Sequence, residues 1–220
     1  MKRHPAPPRR RRRAPCYIFE GSWWGPRETP QVLPFLQALE SLDGGLSLSH
    51  RTFRSGEDLK FWFGRIPKGE RAFVYIASHA DGDDLQPVDG RSRITRDELV
   101  GALGATKAGA VEFLHFGACE FIDPANRRTQ LAELADASGA LWVSGYVKIV
   151  DWLPSMLLDL AVVGELYLSF YHATNQRRPQ LRARAERFFK TYEQLARDLG
   201  FSGLSALVGG RTLIPARLNR

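Results

Sequence analysis

Cysteine is scarce in this chain of 220 residues: Cys16 and Cys119 are the two, too few and too far apart for a disulfide framework or a metal-ligand spacing. Neither a GxGxxG fingerprint nor a phosphate-binding P-loop occurs, so nucleotide folds of those types lack support. Long apolar runs are missing too. The longest, around residues 156–163, is interrupted by Asp159 and is too short to span a bilayer. No apolar stretch of the secretory-signal kind opens the chain, and no internal repeat is visible. The expectation is a soluble cytoplasmic protein without a transmembrane segment, and no cofactor is called for.

Excess charge is confined to one place. The net charge is +7, yet Lys2, Arg3 and Arg9 to Arg13 account for seven of the 31 basic residues. The remaining 24 face 24 acidic residues, so the body is formally neutral and has no basic face spread over it. Residues 1–15 are Arg and Pro with almost nothing to bury, which predicts a disordered leader. Such a run binds nucleic acid or an anionic surface by charge alone. Its ordinary reading is a solvated tail, or a start codon set too early.

What is present is enough for a core: 44% hydrophobic residues, with 13 Phe, 5 Trp and 6 Tyr. Two short apolar runs carry the most information. Residues 73–78 run into His79, with Asp81, Gly82, Asp83 and Asp84 behind it. Residues 111–116 run into Gly117-Ala118-Cys119. Each reads as a buried strand stopped by small or turn-forming residues. In a parallel sheet, ligands bind at the carboxyl ends of the strands. If these two strands are neighbours, a thiol and an imidazole meet there, the minimum equipment for nucleophilic catalysis.

The rest of the chain alternates strands and helices. Strands are expected at 16–20, 46–53 and 140–150, with a small hairpin of 85–88 and 93–95 joined through Asp89-Gly90. Helices are expected at 30–42, from Ser55 through Phe63, from a Thr95/Glu98 capping box to about Leu103, at 126–137, and from Asp151 to near Tyr171. A long basic helix over 179–199 turns Leu181, Phe188, Phe189, Tyr192 and Leu195 inward. This alternation predicts a three-layer α/β/α sandwich with a mostly parallel central sheet. The division expected is a leader of 1–15, an α/β domain of 16–175, and a C-terminal helical extension of 176–220 on or beside it. The stretch with Gly209-Gly210 and Pro215 finds no place in this scheme.

The order strand–Ser78-His79, hairpin, capped helix, strand–Gly117-Ala118-Cys119, helix, then residues 139–146 running to Asp151-Trp152, resembles the caspase-like clan of cysteine peptidases. Within it the bacterial CHAT-type branch is the nearest likeness. The match covers roughly residues 16–171 and is closest at the three strand ends. The resemblance implies a cysteine endopeptidase with Cys119 as nucleophile and His79 as general base and acid. It implies an oxyanion site made by the backbone N–H groups of Cys119 and Ala80, and a specificity pocket with Asp151 as its acid and Trp152 in its wall. It implies a protein or peptide substrate, and a protein activator as a further partner. The clan usually has glycine directly after the histidine, where this chain has Ala80-Asp81-Gly82. Alanine keeps the N–H but resists backbone angles that glycine permits. The competing reading is a weak or inactive caspase-like module that binds a partner. Arg177, Arg178, Arg182, Arg184 and Arg187 would then offer it a charged helix face.

Each residue also has a plainer reading. Cys119 is a buried cysteine, and His79 a structural or loop histidine. Asp81, Asp83 and Asp84 lack the later glutamate of a calcium loop and read as a solvated acidic turn. His115, four residues before Cys119 and roughly 13 Å away along a strand, reads as a core histidine. Asp151 reads as a helix cap. Trp142 and Cys16 read as core.

Overall fold

The computed structural model describes residues 12–22, 32–42, 44–88, 92–173, 178–207 and 210–214, with backbone alone for 178–182. Most of the Arg-rich leader, the Asp89-Gly90 link, Arg177 and the last six residues lie outside this set, as do the side chains of Arg178, Leu181 and Arg182.

Parallel pairing joins β1 (Ala14–Gly21), β2 (Leu46–Phe53), β3 (Ala72–Ala77), β7 (Val111–Gly117) and β8 (Trp142–Tyr146). A separate antiparallel sheet holds β4 (His79–Asp81), β5 (Asp84–Val88) and β6 (Ser92–Ile94), the expected hairpin lengthened by one strand. Beyond β8 the main sheet continues with β9 (Phe201–Ser205) and β10 (Thr212–Ile214), each paired antiparallel to the strand before it, in the order β10-β9-β8-β7-β3-β1-β2. The C-terminal stretch without a place in the sequence thus completes the sheet edge. The first strand starts two residues earlier than expected, because Ala14 N–H donates to Gly45 O and Pro15 O accepts the Tyr167 hydroxyl.

Alternation along the strands sorts the core into two layers. Phe73, Tyr75 and Ala77 point to the layer of α1 (Leu33–Glu40), α5 (Trp152–Ala161), α6 (Leu168–Tyr171), α7 (Arg178–Thr191) and α8 (Glu193–Asp198). Val74 and Ile76 point to the layer of α2 (Gly56–Arg65), α3 (Arg96–Leu103) and α4 (Arg127–Ser138). The sandwich is therefore three-layered and its sheet mostly parallel, as the alternation predicts.

Local chemistry explains several helix ends. Ser55 Oγ accepts from Asp58 N at the start of α2, and Thr95 and Glu98 form the full capping box on α3. Gly139 closes α4 at φ +71°, in the left-handed region that glycine enters without penalty. The basic helix is broken at Tyr192 into α7 and α8. A π-helical stretch, Val162–Tyr167, links α5 to α6, so Trp152–Tyr171 forms one helical run of 20 residues. By length and composition that run could cross a membrane, with mean hydropathy 1.4, longer than the apolar stretch read from sequence. Half of it is buried in the domain, and Asp159 lies on the buried side.

Candidate active site

The parallel register of β3 and β7 pairs Ala77 with Gly117. His79 and Cys119 each follow two residues later, so they leave adjacent strands at the same level on the carboxyl edge of the sheet. Together with Asp151, Trp152, Tyr75 and Ser78 they line one cleft of about 200 Å³. Val32 and Met156 add apolar wall. Four of the five site residues expected from sequence therefore share one cleft; Ala80 stands next to it in the chain.

Cys119 is half-buried on a tight turn. Val150 N–H points at its Sγ at 3.5 Å, and the thiol points at Val150 O at 3.6 Å. The turn is held on both sides. Glu120 adopts φ +53°, rare for a side chain with Cβ, and donates its N–H to Lys148 O at 3.0 Å. Ile122 N–H reaches Tyr146 O at 3.0 Å. From below, the fully buried Gln130 of α4 donates Nε2 to Phe121 O at 2.7 Å and accepts Asp123 N–H at 2.9 Å. Nothing in the sequence marked Gln130 beyond its being polar on a helix.

His79 opens β4, whose hairpin turns at Gly82 with φ +61°. Glycine at the first of two turn residues, with φ negative at Asp83, is the II′ pattern suited to a two-residue hairpin. Asp81 and Asp84 close that turn and are the hydrogen-bonded pair; Ala80 and Leu85 come next and are not. The Ala80 N–H therefore points away from β5. The acidic turn is solvated only in part. Asp84 is buried, paired with Arg93, and accepts Arg96 N–H at 2.9 Å, so it anchors α3 instead of facing solvent.

Asp151 is exposed at the N-cap of α5, and its side chain makes no cap hydrogen bond. The carboxylate is thus not occupied by the plainer role. Trp152 packs edge-on against Phe35, ring centres 4.7 Å apart. Ser78 is buried beside His79, and its hydroxyl has no hydrogen-bond partner among the described residues. His115 and Trp142 are fully buried, as their core readings require. Cys16 is buried as well, and desolvation pushes its thiol pKa far up.

Two carboxylates near the cleft escaped the sequence reading. Glu20, buried at the end of β1, accepts Val32 N–H at 3.2 Å and contacts His50 Nε2 at 2.7 Å, tying the Val32 wall to the sheet. Asp159 accepts the Tyr75 hydroxyl at 2.5 Å under the cleft floor. The one sequence signal for Asp159 was its interruption of an apolar run.

No family model matches the chain, and no curated protein matches it. Among solved structures it is similar to caspase-1 from Spodoptera frugiperda, at 13% identity and a TM-score of 0.45, over 86% of this chain and 83% of that one. A structure described as SPT with PLP is similar at 15% identity and a TM-score of 0.31, over 62% of this chain and 30% of that one.

Proposed function

We propose that the chain is a cysteine endopeptidase of the caspase type, with Cys119 as nucleophile and His79 as general base and acid. The observation that supports this reading is their convergence on one cleft at the carboxyl edge of a parallel sheet. Within the clan we propose the CHAT-type branch, on the strand-end motifs Ser78-His79, Gly117-Ala118-Cys119 and Asp151-Trp152.

In this reading His79 takes the proton of the Cys119 thiol, and the thiolate attacks the peptide carbonyl carbon. The oxyanion that forms is held by the N–H groups of Cys119 and Ala80; Glu120 N–H is committed to Lys148. Collapse breaks the C–N bond, His79 passes its proton to the leaving amine, and a thioester remains. His79 then takes a proton from water, whose attack releases the carboxylic acid and restores the thiol. General base assistance contributes about a hundred- to ten-thousandfold. Asp151 at the rim favours a substrate with Arg or Lys before the scissile bond, and Trp152 supplies an apolar wall for its stem.

The test is the alkylation rate of Cys119 against pH, by peptide mapping, in the wild type and in His79→Ala. A working dyad reacts well below the usual thiol pKa of about 8.5 and loses that behaviour without His79. A Cys119 indifferent to His79 sinks the dyad. Peptide libraries then read the preference for basic residues, and Cys119→Ala should abolish turnover with the fold intact.

A second reading, a partner-binding module, is favoured by one observation. Ile149, Leu153 and Leu157 are 76%, 55% and 54% exposed beside the cleft rim. Under it, His79→Ala binds the partner as well as the wild type does.

A further inference from the structure

Asp159 is 1% exposed, yet its carboxylate is fully engaged. Oδ2 accepts the Tyr75 hydroxyl at 2.5 Å, and Oδ1 accepts the Tyr146 hydroxyl. His115 Nε2 lies 2.8 Å from Oδ1, in close contact but without hydrogen-bond geometry. On its other side His115 Nδ1 meets Ser144 Oγ at 2.8 Å, and that oxygen also accepts the Trp142 indole N–H. One carboxylate on α5 thereby hydrogen-bonds to β3 and β8 and lies in contact with β7 between them.

The grip falls at a telling level. Tyr75 and His115 are register partners, as are His115 and Ser144. Tyr75 stands four residues before His79, and His115 stands four before Cys119. Whatever holds the first pair level holds the second pair level. A slip of one residue would offset the dyad by about 3.3 Å and turn one partner to the other face of the sheet. The apolar pattern of β3 opposes such a slip weakly, because all six of its residues are buried and show no in-out alternation. A polar anchor specifies what that pattern does not; fixing register is the best-attested use of buried polar groups.

We propose that Asp159 is a positioning residue that sets the register of β3 against β7 through Tyr75 and His115, and with it the spacing of His79 and Cys119. The consequence for chemistry rests on the dyad reading above; the register itself does not. Asp159 also carries α5, so the same carboxylate places Ser155 and Met156 in the cleft wall.

The test replaces the cluster with apolar residues of similar size, Asp159→Leu with Tyr75→Phe and Tyr146→Phe, and reads two quantities in the full chain. Amide hydrogen exchange should quicken by on the order of tenfold across 72–77 and 111–117, with 46–53 unchanged. The His79-dependent part of Cys119 alkylation should fall by on the order of tenfold or more, since a misplacement of about 1 Å can cost a hundredfold. Cooperative unfolding retained alongside both changes separates registration from mere stability. Wild-type exchange in β3 and β7 together with wild-type alkylation overturns the proposal. If the triple variant does not fold, Tyr75→Phe alone, which removes one hydroxyl, is read in the same two ways. If wild-type Cys119 ignores His79→Ala, the dyad reading fails, and strand exchange alone decides whether Asp159 sets the register.

Discussion

The Cys119 thiol faces both backbone groups of a single residue, Val150, with its N–H at 3.5 Å and its carbonyl oxygen at 3.6 Å from Sγ. The sulfur thus has a backbone donor and a backbone acceptor on the same neighbouring residue. The segment between β8 and α5 therefore lies directly against the sulfur, although it belongs to neither β3 nor β7.

Selective labelling follows from the two cysteine environments. Iodoacetamide should modify Cys119 in the native protein. Cys16, buried in β1 with its pKa pushed up by desolvation, should react only from the unfolded state. For a domain of ordinary stability that makes Cys16 slower by about a thousandfold or more. Peptide mapping of a partial reaction reads the ratio, and comparable labelling of both sites would contradict the burial of β1.

Two glycine-to-alanine changes should have opposite signs. A Cβ at Gly117 would collide with the Tyr75 hydroxyl, which Asp159 holds in place. Gly117→Ala should therefore cost about 1–3 kcal/mol, as overpacking does. At Gly101, within the exposed side of α3, nothing lies within 4 Å of an added Cβ. Gly101→Ala should stabilise by roughly 0.5–1 kcal/mol through helix propensity. Urea unfolding of both variants checks the pair.

Removing Gln130 should loosen the turn after Cys119. Gln130→Ala strips partners from the buried Phe121 carbonyl and from Asp123 N–H, at about 1–3 kcal/mol. Denaturation reads the stability, and faster amide exchange at 120–123 reads the local effect. A variant as stable as the wild type would mean that water replaces both bonds.

Alkaline pH should unfold the protein through its tyrosines. Burial first, then the neighbouring Asp159 carboxylate, raises the pKa of Tyr75 and Tyr146 well above the ordinary value; burial also raises that of Tyr167. The folded state keeps these protons while the unfolded chain releases them near pH 10. Their contribution is therefore fully present below pH 10 and is lost as pH rises beyond it. Each such group should lower stability by about 1.4 kcal/mol per pH unit above that point. Melting temperature measured from pH 9 to 11.5 should decline over that range, less steeply in Tyr75→Phe.

Much of the fold is legible in the chain because local and global preferences agree. The Thr95/Glu98 box, Gly139 after α4, and the apolar runs before His79 and Cys119 each name their own element. The C-terminal strands were not legible. Residues 201–205, FSGLS, are short, weakly apolar and contain glycine, and they become a strand by pairing with an edge that β8 already offers. Tertiary context overrides propensity there.

At the cleft the division has a physical cause. Strand ends are local, so the chain alone reveals that a histidine and a cysteine stop two buried strands and that Asp151 and Trp152 open a helix. Side-chain partnerships across elements are not local. Tyr75 meets Asp159 across 84 positions of chain and Cys119 meets Val150 across 31, and no spacing rule reaches either pair. Those contacts exist only once the layers have packed. A parallel sheet sets residues from distant segments side by side, and a buried carboxylate must find its hydrogen-bond partners wherever the packing has placed them.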